Sequence, residues 1–92
     1  MSIEDQSYKA MGEGILRARL IRRDLSNTLT EYEPEKVRGL NRAYIKTVKE
    51  IIAQGERYLD HCSNLELGVK ISTIIENYRA LLFSLPKQDE TD

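Results

Sequence analysis

One cysteine among 92 residues excludes an internal disulfide. The one histidine, His61, together with Cys62 supplies too few nitrogen and sulfur ligands for a closed structural zinc site. No stretch approaches the roughly 18 uninterrupted apolar residues of a membrane helix. The first ten residues, MSIEDQSYKA, are too polar for a signal peptide. These absences set the expectation of an intracellular, cytoplasmic protein without membrane association. An excess of one charge is lacking as well: 14 Lys+Arg against 15 Asp+Glu leave a formal net charge of -1, so no overall basic surplus advertises nucleic acid. No internal repeat, low-complexity tract or Gly/Ser linker divides the chain. What remains is one small domain, 1–92, with 40% hydrophobic and 32% charged residues, a composition that folds rather than staying disordered.

Only two prolines occur, and they punctuate the chain. Proline fits the first turn of a helix and pushes its predecessor out of the α region, so Glu33-Pro34 predicts a helix start and Pro86 a stop. Ser63-Asn64-Leu65-Glu66 has the S-x-x-E spacing of a capping box, with Ser63 as cap and Glu66 reaching back. Three helices are therefore expected over 13–29, 34–61 and 64–85, with a mobile acidic tail over 86–92. Residues 1–12 could extend the first helix, but Gly12 and Gly14 each disfavour a helix interior by about 1 kcal/mol against Ala.

Hydrophobic spacing supports these segments. Met11, Ile15, Ala18, Ile21, Leu25 and Leu29 form one stripe. In the second segment Val37, Leu40, Tyr44, Val48, Ile51, Gly55, Leu59 and Cys62 recur at threes and fours, with Gly55 a point for close helix approach. In the third, Leu67, Ile71, Ile74, Tyr78, Leu81 and Leu85 alternate spacings of four and three. The predicted fold is all-α: three long antiparallel helices in a small bundle. At about 100° per residue, Leu16 and Leu20 fall opposite the first stripe, while Leu65, Val69 and Phe83 fall opposite the third. Long thin helices with second apolar faces imply a further partner, and a homodimer building a larger helical bundle is the economical expectation.

The residues that could carry chemistry do not assemble into a site. His61 and Cys62 are neighbours, and in a helix i and i+1 point about 100° apart, so they cannot work as a nucleophile and its base. Cys62 lies on an apolar stripe and His61 in a last helical turn, where an imidazolium complements the dipole. Residue 58, three before His61, is Tyr58, so the Glu-x-x-His pair of di-iron bundles is missing. Gly12-Glu13-Gly14 lacks the Lys-Ser/Thr of a phosphate loop. No enzyme, cofactor or metal is expected.

Charge placement says more than net charge. Residues 17–49 hold nine basic residues against four acidic, a balance of +5, whereas 50–92 hold four against eight, a balance of −4. Arg38, Arg42, Lys46 and Lys49 repeat at four, four and three, which lines them along one helix face. Arg17, Arg19, Arg22 and Arg23 spread round more than half of theirs, and Arg22 is expected along a helix seam with its head paired to a carboxylate. The sequence thus points to a non-catalytic protein–protein interaction module of regulator, adaptor or chaperone type. Its candidate contact residues are Leu16, Leu20, Leu65, Val69 and Phe83. The alternative is a nucleic-acid-binding protein that uses the Arg38–Lys49 face doubled across a dimer.

Overall fold

Ser2 opens the first helix. Its hydroxyl accepts the Asp5 N–H at 3.1 Å and its carbonyl accepts the Gln6 N–H at 3.0 Å. Glu4 and Asp5 add negative charge where the helix dipole favours it. The computed structural model describes residues 2–27 and 33–84, and their fold is three helices: α1 (Ile3–Asn27), α2 (Pro34–His61) and α3 (Leu65–Ser84). Helix α1 thus starts ten residues earlier than the periodicity alone placed it, running through Gly12 and Gly14. Leu29, Tyr32, Leu85 and the acidic tail lie outside the described residues.

Pro34 takes the first turn of α2 as its fixed φ requires. At the far end His61 is the last helical residue, and its Nδ1 donates to the Arg57 carbonyl at 3.1 Å. Cys62 then turns the chain into extended backbone, with its N–H donating to the Leu59 carbonyl. The cap of α3 is Asn64 rather than Ser63: the Asn64 side-chain oxygen accepts the Leu67 N–H at 3.1 Å. The Ser63 N–H, which a capping box would give to Glu66, donates instead to a Glu4 carboxylate oxygen of α1 at 2.9 Å. A tertiary contact displaces the local one.

All helices run antiparallel to their neighbour in sequence. Glu4 meets Ser63, Tyr8 stacks near Tyr58, Gly14 faces Ile51 and Arg17 pairs with Glu50, so each step up α1 is a step down α2. Gly55 faces Ile75 and Gly68 faces Cys62, which sets the same relation between α2 and α3. Helix α2 is the shared partner; among the described residues no Cα of α1 comes within 8 Å of one in α3. That position explains why α2 buries a wider arc than one stripe. Tyr44, Val48 and Ile51 are joined by Ile45, Ile52 and Tyr58, which fill both of its seams.

The centre of the core is Met11, Val48, Ile51, Ile71 and Ile75. Two glycines allow the close packing. A Cβ on Gly14 would stand 2.8 Å from Ile51 Cγ1, and one on Gly55 would stand 2.8 Å from both Ile75 Cγ1 and Cδ1. Gly14, unfavourable in a helix interior, is there because α2 needs the space; Gly55 admits Ile75 from one side and Met11 from the other. In α3 the predicted stripe faces the core, with Ile71 buried and Leu67, Ile74, Tyr78 and Leu81 packed half-buried against it, but the most buried side chain is Ile75, 3% exposed, which lies beside that stripe. This orientation of α3 aims Ile75 at the Gly55 gap and leaves Ile74, Tyr78 and Leu81 along its edge.

Candidate functional site

The connection between α2 and α3 is where all three helices meet. Tyr8 and Tyr58 have ring centroids 5.6 Å apart and tilted by 52°, an arrangement that suits the ring quadrupoles. The Tyr58 hydroxyl is hydrogen-bonded to the Cys62 sulfur, whose own S–H donates to the Asn64 carbonyl at 3.0 Å. That hydrogen bond first, and burial second, push the Tyr58 hydroxyl up to about 12, with the nearby Glu4 charge acting in the same sense. Cys62 is therefore part of a structural relay as well as a half-buried apolar group. Burial also raises the Tyr78 hydroxyl, against the opposing influence of Arg19 and Arg22.

A group held protonated in the folded state stabilises fully below its unfolded value of 10.0 and loses that contribution as pH rises through its folded value. The melting temperature is therefore expected to fall between pH 10 and pH 12 by more than it changes between pH 7 and pH 9. Tyr58→Phe should flatten the alkaline decline while Tyr78 sustains part of it. Circular dichroism melts across that range check this; a Tyr58→Phe variant with the parental slope would contradict the assignment.

The predicted contact residues stand in solvent but do not form one patch. Leu16 and Leu20 lie one turn apart on the side of α1 away from α2, 60% and 53% exposed. Leu65 and Val69 form a similar pair at the start of α3. Phe83, 83% exposed, follows Val69 by fourteen residues, about 21 Å along the helix. Glu76 interrupts the strip between them.

Arg38, Arg42, Lys46 and Lys49 are all exposed on the outer face of α2, opposite its buried arc. The antiparallel register sets this ridge level with the basic half of α1 along the helix axis. Asn27 lies thirteen residues beyond Gly14, which brings it level with Arg38, thirteen before Ile51. Nine basic side chains, from Arg17, Arg19, Arg22 and Arg23 through Lys36 to Lys49, therefore lie in one half of a body 49 Å long. Against the four acidic residues of 17–49 the balance in the sequence is +5. Arg17 reaches Glu50 at 3.5 Å in the open, a pair worth about 1 kcal/mol at most.

Sequence reasoning missed a groove at this basic end. It is lined by Arg22, Leu25 and Ser26 of α1, Asn41 and Tyr44 of α2 and Leu81 of α3, and encloses ≈ 320 Å³. Arg22 lies along a helix seam, where it edges this groove and acts on the Tyr78 hydroxyl. The available signal was helix length, because α3 has 20 residues and α2 has 28. Among the described residues no three His, Cys, Asp or Glu side chains converge as metal ligands, and no helix is long and apolar enough to cross a membrane. Neither a protein-family model, nor a curated protein, nor a solved structure matches the chain.

Proposed function

We propose that this protein is a non-catalytic interaction module that acts as a homodimer and binds another protein as a regulator, adaptor or chaperone, within the cytoplasm. The observation that carries the reading is the pair of outward apolar faces, Leu16/Leu20 and Leu65/Val69, with Phe83 beyond, on helices whose opposite sides already fill the core. Apolar residues aligned on the outer side of a helix are the usual anchors of helix-to-helix association. Nucleic acid suits the basic end less well. Tyr44, the aromatic nearest the ridge in sequence, is buried beneath it, leaving no ring between Arg38 and Lys49 on which a base could stack.

Light scattering should give the parent a mass near twice 10.6 kDa, and Leu20→Glu combined with Phe83→Glu should return it to a single chain with its helical content unchanged. A parent that stays a single chain at every concentration would refute the dimer. A double variant that keeps the parental mass would refute the placement of its interface.

A further inference from the structure

The groove at the basic end lies where the described part of α3 ends along α2. Ser84 lies nine residues beyond Ile75, and nine residues before Gly55 is Lys46, so α3 comes level with Lys46 as its described part ends. The first twelve residues of α2, Pro34–Ile45, thus have α1 alone beside them among the described residues, over about 18 Å of helix. Along this section Tyr44 and Ile45 are buried, while Leu25, Val37 and Leu40 are only half-buried.

We infer that this uncovered section is a docking site for an acidic amphipathic helix of a partner protein. The inference rests on the interaction-module reading and supplies its partner chemistry. Apolar side chains of an incoming helix at i, i+3, i+4 and i+7 would take the place beside α1 and α2 that α3 fills further along, resting on Leu25, Tyr44 and Leu81. Acidic residues on the flanks of that helix would meet Arg22 at the groove edge and the net positive charge of residues 17–49, +5 in the sequence, while Ser26 and Asn41 offer hydrogen bonds at the rim. A basic helix would meet a net like charge. The apolar floor distinguishes the site from a phosphate track, which would call for charge without burial.

The test uses the full chain and two labelled synthetic peptides of roughly 12 residues, the span of the uncovered section. Both carry Leu at i, i+3, i+4, i+7 and i+8, one with Glu and one with Lys at the flanking positions. Fluorescence anisotropy should show saturable binding of the Glu peptide, weakening as salt rises, with the Lys peptide about tenfold weaker or more. Arg22→Glu should reduce affinity for the Glu peptide about tenfold, whereas Lys70→Glu, on α3 away from the groove, should leave it within about twofold. Leu81→Ala should weaken it while keeping the parental circular dichroism spectrum. Absence of binding by the Glu peptide, or equal effects of Arg22→Glu and Lys70→Glu, overturns the site. A change of solution mass on Arg22→Glu would also overturn it, assigning the groove to a second copy of the chain. None of these outcomes depends on the Leu20/Phe83 faces, so the docking site can fail while the homodimer stands.

Discussion

Gly55→Leu is expected to be the most disruptive single substitution in the molecule, with a loss of about 3 kcal/mol or more in chemical denaturation. The position is closed on two sides. A Cβ alone would lie 2.8 Å from Ile75 Cγ1 and Cδ1 and 3.3 Å from Met11 Cε, and a leucine adds three further heavy atoms beyond that point. Ile75 and Met11 are themselves 3% and 2% exposed, so neither can move aside without displacing α3 or α1 from α2. The same substitution at Gly12 or Gly39, where a Cβ would meet nothing within 4 Å, should stabilise by about 0.5–1 kcal/mol, because leucine is the better helix former. If Gly55→Leu unfolded at the parental midpoint, the close approach of α2 to both neighbours would be wrong.

Ile75→Ala should cost about 2–5 kcal/mol, and Ile74→Ala only about 1 kcal/mol. The two residues are adjacent and of the same type, so their difference isolates which way α3 faces. Ile75 fills the Gly55 gap beside Met11, and its truncation leaves a void there; Ile74 is half-buried at the edge of the core. The pair also makes a sharper test by combination. Gly55→Ala should be destabilising in the parent, where the new methyl meets Ile75, and stabilising by about 0.5–1 kcal/mol in the Ile75→Ala background, where helix propensity alone remains. Urea midpoints of the parent, the three single variants and the double variant decide it. Equal losses for Ile74→Ala and Ile75→Ala, or a Gly55→Ala effect that ignores residue 75, would show that α3 is rotated from the orientation described.

These sites show how far local pattern reached. Period and punctuation were enough for the helices because both are one-dimensional: Pro34 starts α2, His61 ends it, and the three- and four-residue spacings sort core from surface within each helix. The start of α1, open over residues 1–12 in the periodicity, was legible too, since Ser2-Ile3-Glu4-Asp5 places a capping hydroxyl three residues before an N–H that it accepts. The exposure of Leu16, Leu20, Leu65, Val69 and Phe83 followed from the same angular reading.

What the sequence by itself determined is the all-α class, the place of the turns and the outward apolar residues, because helix propensity, capping and periodicity act within a few residues of one another. The tertiary structure alone decided which neighbour each group meets. It gave the Ser63 N–H to Glu4 in place of Glu66, and it brought Ile75, beside the predicted stripe of α3, into the Gly55 gap. It also set α1 and α3 apart on a longer α2, opening the groove between Arg22, Tyr44 and Leu81. Those outcomes depend on the relative length, rotation and register of whole helices. Packing fixes these through contacts between residues tens of positions apart, which no local spacing encodes.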